Sequence, residues 1–532
     1  MPRTALTAFH AVLLAGGIAA LVGGWLALGV AGDSARGRYV EAVIGRPGPA
    51  NPLLARDDVA EDLVALTFTG LMRITGDGTP ATDLAERWEV TPDGLTYTFV
   101  LRPDATWHDG HRVSAADVEF TVHQLQAPAF AGPPARAVPW SGVELFVADD
   151  RTVLVHLPQP SADFLAQAAV PLLPAHLLGD VQAVDLPHDG FNQAPVGTGP
   201  YRLVELDAEH ARLVANARFY RGAPAVGEIE LRFVPDRAGQ LAALRDGDAN
   251  AALLGDHPDD LDRAAVAARS DLAAVALLRS AFVVLYVNNQ AAPLDDARLR
   301  RALTAAIDRE ALFLASGATG RVGDGVIVPG SWAYAPWPGG GDVSATEELW
   351  LAAGWERDRD GARSREGEPL TLELITNDDP DREALAHALA DQLAGWGVHV
   401  DVVSAPATEL VQRRLGPRDY QLALFGWEVA PDPDPYGGWH SSQISAQARN
   451  IAGFHAPAAD ATLEAARTTL DGAERRDLYA QFEAIFGEQA ASLILYYPAR
   501  VYVFPRALEG LDDGLLFSPA SRFHGVERWR LD

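Results

Sequence analysis

The sequence predicts an α/β protein of two or three domains behind an N-terminal membrane-spanning helix, and three observations carry that reading. At 532 residues the chain is too long for one compact core. Two α/β signatures stand in its second half. Phe282–Val287 (FVVLYV) is a continuous apolar run, as expected of a strand buried on both faces. Leu370, Leu372 and Leu374 alternate in a strand. Leu385, Leu389, Gln392 and Trp396 then share one helical face, Gly397 ends that helix, and Val398–Val403 is the next strand, which makes a βαβ unit. The third observation is Ala11–Val30, a run of 20 residues without a charge. At about 1.5 Å per residue it spans roughly 30 Å, one bilayer core.

Composition narrows the function. The apolar fraction of 48% and the charged fraction of 22% are globular values. Net charge is -29, and all 43 basic residues are Arg. So acidic a surface disfavours nucleic acid as a partner, because that binding rests on phosphate neutralisation, and no nucleic acid is expected. Without Cys there is no disulfide, thiolate metal site, Cys nucleophile or lipid-modified N-terminal cysteine. Arg3 and the terminal amine precede the apolar run, favouring an inside N-terminus and an exported body. The run is longer than a typical signal core and reads as a retained anchor over residues 1–35. Gly29-Val30-Ala31 offers a cleavage site, so a cleaved, soluble protein is the alternative.

Behind the anchor, Arg38–Ile44 reads as a strand and Gly45–Pro52 as a turn-rich exit. Leu63–Met72 has near-helical apolar spacing. Trp88–Leu101 is a hairpin turning at Asp93-Gly94. Ser114 and Asp117 form a capping box for a helix through Gln126. Val153–Leu157 is a short strand, and Pro158–Pro174 reads as an apolar helical stretch. Strands follow at Arg202–Leu206, Ala211–Ala215 and Glu228–Val234, then a helix at Arg237–Asp246. Leu299, Leu303, Ala306 and Ile307 lie on one face of a helix that starts after Asp296. Glu356–Glu368 is a charged, solvated hairpin. Helices at Ala459–Thr469 and Ala473–Phe486 precede an apolar strand, Ala491–Tyr497, and a last crossing segment, Val501–Phe504.

The most unusual stretch follows the strand Tyr420–Phe425. Trp427 leads to Pro431-Asp432-Pro433-Asp434-Pro435, then Trp439-His440. Alternating prolines remove backbone donors and hold their neighbours extended. Carboxylates and aromatic faces at the carboxyl end of a strand suit a ligand cleft in an open α/β sheet. They suit equally a turn in which Asp432 and Asp434 accept backbone N–H groups.

A series of motifs then resembles one family in its own order. They are Asp83–Val90 (DLAERWEV), Asp93–Phe99 (DGLTYTF), Trp107-His108-Asp109-Gly110 before Ala116-Asp117-Val118, Gly197-Thr198-Gly199-Pro200-Tyr201, Asn216–Tyr220, and Val287-Asn288-Asn289 before Asp296–Leu303 and Ala306–Arg309. From about Tyr39 to its end the chain resembles the family 5 extracytoplasmic solute-binding proteins of ABC transporters, the oligopeptide, dipeptide and nickel-binding group. The resemblance implies a periplasmic-binding-protein-like fold of type II, with two α/β lobes joined by a hinge and an extra subdomain in the first. Lobe I takes 36–55, 190–284 and 502–532, the inserted subdomain 56–189, and lobe II 285–501. Phe282–Val287 and Tyr496–Phe504 are the crossings between them.

The resemblance further implies a monomeric receptor outside the cytoplasm, at the cell surface or in the periplasm. It captures a short peptide or other small solute between its lobes and hands it to permease subunits with their ATPase. In peptide-binding members an acid after a Trp pairs with the ligand's α-ammonium, and backbone near that Trp and near the mature start bonds the peptide main chain. Carried over, the Trp is Trp427, the acid is Asp432 or Asp434, and the early segment is Gly48–Pro52 with Asn51. Trp439 and His440 would complete the wall. The usual acid position, three residues past the Trp, is Ala430 here. The same fold serves nickel chelates, oligosaccharides and other solutes, or a ligand sensor. His440 would suit a metal chelate, and the Trp pair sugar rings. No catalytic residue, cofactor or resident metal is expected, since neither H-E-x-x-H nor G-x-S-x-G occurs.

Overall fold

The computed structural model describes residues 38–336, 345–445 and 449–531. The expected membrane helix lies outside them. Among the described residues no helix is long and apolar enough to cross a membrane.

The first lobe is built on a four-stranded sheet. Tyr39–Ile44 runs parallel to Glu228–Val234, which continues antiparallel to His210–Ala215 and then Tyr201–Leu206. Helix Asp58–Thr67 begins where Asp57 accepts the Ala60 N–H, and helix Arg237–Asp246 where Asp236 accepts that of Gly239. Gly247 closes the second helix at φ +83°, a left-handed position that glycine takes without strain.

The inserted subdomain has its own antiparallel sheet, ordered Ala85–Val90, Thr96–Leu101, Thr152–His156, Glu144–Asp149. The Ser114–Asp117 capping box starts helix Ala115–Gln126, as the sequence suggests. Its core gathers Trp107, Trp140, Tyr97 and Phe99.

The second lobe continues a sheet shared with the crossing. Leu422–Glu428 pairs antiparallel with Ala281–Val287 and parallel with Thr371–Asn377, which pairs parallel with His399–Ala405. Helix Pro380–Gly395 joins the last two strands. The FVVLYV run serves two cores. Phe282, Val284 and Tyr286 enter one, and Val283, Leu285 and Val287 the other, so neither face has room for a polar residue.

Four elements differ from the sequence expectation, the first being Leu63–Met72, which is helical only to Thr67 and whose Met72 begins the strand Met72–Ile74. Ala491–Tyr497 and Val501–Phe504 are parts of one 14-residue strand, Ser492–Pro505. Its first part pairs with Ala281–Val287 and its second with Leu272–Leu278. Pro498 sits where the partner changes, so its missing N–H leaves the ladder intact. Pro158–Pro174 forms only one helical turn, Phe164–Gln167. The charged hairpin is a three-stranded sheetlet, Glu356–Arg357, Arg363–Arg365 and Glu368–Pro369.

Candidate functional site

The junction between strands Leu272–Leu278 and Ala281–Val287 and the middle of Ser492–Pro505 border two adjoining cavities. Arg279 and Ser280 link Leu272–Leu278 to Ala281–Val287, and Arg500 lies on the long strand beside them. Arg279 hydrogen-bonds Asp256, and its Nη2 reaches Glu428 Oε1 at 3.0 Å, while Arg500 Nε stands 3.5 Å from Asp256. Arg279, Glu428 and Arg500 line a cavity of about 110 Å3, together with Asp58, Ser280 and Phe517. Asp58, Arg500 and Pro519 are shared with a second cavity of about 360 Å3 against the first lobe.

Behind that second cavity is a buried ionic network. Arg522 donates to both oxygens of Asp62 at 2.6 Å and to Glu41 at 2.7 Å. The Tyr39 hydroxyl bonds Glu41 and Tyr502. Burial pushes the Asp62 carboxyl up to about 6 against the pull of Arg522. The network ties the C-terminal turn Pro519–Phe523 to strand Tyr39–Ile44 and helix Asp58–Thr67, and so fixes the first-lobe wall.

The second-lobe wall carries an unpaired strand edge. Val429 N donates to Ser280 O and Asn288 N to Gln421 O, which sets the register of the antiparallel pair. In such a ladder alternate residues bond the same neighbour, so odd-numbered residues from 421 to 429 face Ala281–Val287. Leu422, Leu424, Gly426 and Glu428 turn their N–H and C=O groups the other way. The neighbouring strand on that side covers only Leu422–Leu424. The backbone groups of Gly426 and Glu428 therefore have no sheet partner among the described residues, and both residues are exposed. A Cβ placed on Gly426 would stand 3.6 Å from Arg382 Nη2, and the buried Nη1 has no hydrogen-bond partner among the described residues. The site thus offers an extended edge, a cation beside it, and the Glu428 carboxylate next to Arg279.

The family model described as bacterial extracellular solute-binding proteins, family 5 Middle, matches residues 79–448, more than half of the chain. The chain belongs to this family. It is 27% identical over 518 residues to the oligopeptide-binding protein AppA of Bacillus subtilis, covering 93% of this chain and 92% of that protein. The structure of that protein in complex with a nonapeptide superposes with a TM-score of 0.66 at 26% identity, covering 93% of this chain and 99% of the other. NikZ from Campylobacter jejuni in complex with Ni(L-His) gives a TM-score of 0.67 at 25% identity, with the same coverage.

Within this family 5 member the residues singled out from the sequence separate. Trp427 is half-buried at the unpaired edge and lines an apolar cavity of about 640 Å3. Asp432 receives a bidentate pair from Arg475, Nη1 to Oδ2 at 2.8 Å and Nη2 to Oδ1 at 2.9 Å, with both side chains buried. Its cation is supplied by the chain, in place of the ligand amine expected. Burial disfavours the Arg475 charge, but the hydrogen bonds and field of Asp432 outweigh it and raise the guanidinium pKa. Asp434 accepts the Tyr436 N–H at 3.0 Å and faces Arg467 at 2.9 Å, as a turn aspartate does.

Trp439 is a core residue rather than a wall residue. It is 3% exposed, stacks on Tyr286 and meets Phe486 edge-on. His440 is likewise internal. Its ring stacks on Tyr436 at 4.1 Å, and Nδ1 bonds the Ser442 hydroxyl and N–H. Asn51 is fully buried, donating to Asn192 and accepting the Leu53 N–H, so it shapes the turn after the first strand.

Arg279, Arg382, Glu428 and Arg500 were not found from the sequence. Lone Arg and Glu residues at strand and helix ends carry no spacing signal. The end of the Thr371–Asn377 ladder at the Asp379-Pro380 helix start was the one available clue to the free edge.

Proposed function

We propose that this protein is the substrate-binding receptor of an ABC importer, capturing short peptides between its lobes and delivering them to permease subunits with their ATPase. The observation that carries the reading is the unpaired edge of Gly426 and Glu428 at the cleft. An extended peptide completes a strand edge through main-chain hydrogen bonds whatever its side chains, which suits a receptor for many sequences. Arg382 Nη2, 3.6 Å from where a Cβ on Gly426 would stand, puts a positive charge beside the edge along which a ligand carbonyl or carboxylate would lie. The nonapeptide complex of the AppA relative supports a peptide as the ligand. The nickel-chelate reading loses its main support, because the His440 side chain is buried, 5% exposed, with its Nδ1 held by Ser442.

In this reading lobe II, residues 285–501, closes on lobe I and its 56–189 subdomain by bending at Arg279–Ser280 and Pro498–Arg500. The protein works as a monomer outside the cytoplasm, held to the membrane by its N-terminal run, and does no chemistry on its ligand. The test is Glu428→Pro. That N–H lies on the free edge, so proline removes the proposed peptide contact without breaking the ladder to Ala281–Val287. Calorimetry with a tetrapeptide should show at least tenfold weaker binding for Glu428→Pro than for Glu428→Ala, at an unchanged melting point. Equal affinity of the two variants would overturn the edge as the binding element.

A further inference from the structure

The cavity beside Trp427 separates an apolar interior from a polar mouth. It measures about 640 Å3, within the roughly 300–1,000 Å3 of ligand pockets. Its buried lining is Tyr286 and Leu415, and Phe425, Trp427 and Ile451 are half-buried along its walls. Phe425 and Trp427 lie opposite Val284 and Phe282 in the antiparallel ladder and project to the same sheet face. Gln412 and Arg449 also line the cavity, and both are exposed, which puts them at its mouth. Neither side chain makes a hydrogen bond or ion pair with another described residue. Acids outnumber Arg by 72 to 43 in this chain, yet no described acid lines the cavity. Gly426, on the unpaired edge, borders the same mouth. Its own Cβ direction leads to the other sheet face, toward Arg382, so Arg449 is the cation that belongs to this cavity.

We propose that this cavity is the subsite for the last residue of the bound peptide, taking an apolar side chain inside and its free α-carboxylate on Arg449 at the mouth. The inference rests on the peptide reading above. A strand added to the Gly426 edge points alternate side chains to this face while its main chain stays at the mouth. The C-terminal residue is the one position of a peptide that carries an apolar side chain and a carboxylate on the same carbon. Its side chain leaves water against Phe425, Trp427 and Ile451 without burying a charge. Its carboxylate stays at the mouth, where the guanidinium fork donates to both oxygens and the Gln412 amide offers a further donor. A C-terminal amide keeps the apolar gain and loses the ion pair. An aspartate or glutamate side chain pointed inward would carry its charge into the apolar interior, which is costly.

The test is calorimetry of the purified protein with Ala-Ala-Ala-Leu and Ala-Ala-Ala-Ala, each as the free acid and as the C-terminal amide. The Leu peptide should bind about tenfold tighter than the Ala peptide, and its free acid about tenfold tighter than its amide. The Arg449 side chain holds nothing in the fold, so Arg449→Gln should keep the parent's melting point and the preference for Leu, while the acid-to-amide ratio falls to about one. Ile451→Trp narrows the cavity, so the Leu-to-Ala ratio should fall to about one while the preference for the acid persists. If acid and amide bind the parent alike, if Leu gains nothing over Ala, or if either folded variant leaves its ratio unchanged, the subsite is refuted while peptide capture stands. If no peptide binds at all, both readings fall.

Discussion

Replacing Asp432 with Asn should cost folding stability and leave amine recognition untouched. The carboxylate accepts two guanidinium hydrogen bonds from Arg475, at 2.8 and 2.9 Å, and only 8% of one side chain and 6% of the other is exposed. Arg475 is further committed to Ala466 O and the Tyr479 hydroxyl, so it cannot swing out to water when its partner changes. Breaking a buried pair on one side typically costs about 3–5 kcal/mol, because a charge stays desolvated. Asn keeps one acceptor oxygen, which places this variant near the lower end, about 3 kcal/mol. For a unit of 150–250 residues that lowers the melting point by about 6–12 °C. The double change Asp432→Leu with Arg475→Met removes both charges and should be less damaging than either single change. Differential scanning calorimetry measures the shift. Titration with a tripeptide and its N-acetylated form measures recognition, and the Asn variant should weaken both by the same factor. A free-amine peptide losing more than tenfold over its acetylated twin, at an unchanged melting point, would refute the structural role and return Asp432 to the ligand.

Glu483 gives a pH prediction. Burial raises its carboxyl to about 8, and it accepts the Ile327 N–H with no cation beside it. The folded state thus binds the extra proton between about pH 4.5 and 8, so this group's contribution is fully present below 4.5 and is lost as pH rises through that window. Glu483→Gln should remove the dependence, and the melting point of the variant relative to the parent should climb from pH 5 to pH 8, by an amount equivalent to about 3 kcal/mol. A difference constant with pH would show that the carboxyl ionises freely. The N-terminal run predicts that the exported protein resists carbonate extraction from membranes, and a mature species starting near Gly32 in the soluble fraction would contradict it.

Most of the fold was legible because its elements are locally determined. Glu228–Val234 and Arg237–Asp246 lie where alternation and Asp capping place them. FVVLYV reads as a two-sided strand because it fills two cores. What was not legible depends on long-range pairing. Pro498 looks like a strand end, yet the strand continues because its neighbour changes there from Ala281–Val287 to Leu272–Leu278. Leu272–Leu278 (LAAVALL) is rich in Ala and Leu, which suit a helix as well as a strand, and Glu144–Asp149 (ELFVAD) is bounded by acids, so both form on neighbours supplied from elsewhere in the chain.

The candidate site was less legible for a related reason. The Asp-Pro-Asp-Pro turn attracts attention through carboxylates, but carboxylate chemistry depends on what stands opposite, and Arg475 lies 43 residues away. Local sequence sees the acid and not its partner. The proposed binding groups are the reverse case, since main-chain N–H and C=O groups at Gly426 and Glu428 have no side-chain signature at all. The two are nevertheless coupled in space. The turn begins at Asp432, four residues beyond the end of the Leu422–Glu428 strand, and Arg475 ties it to helix Gly472–Glu488. The ion pair thereby fixes the direction in which the free edge leaves the sheet. In the proposed mode of binding the acidic turn acts by holding the backbone that the ligand would meet, which is why stability, rather than charge selectivity, is the property that distinguishes its role.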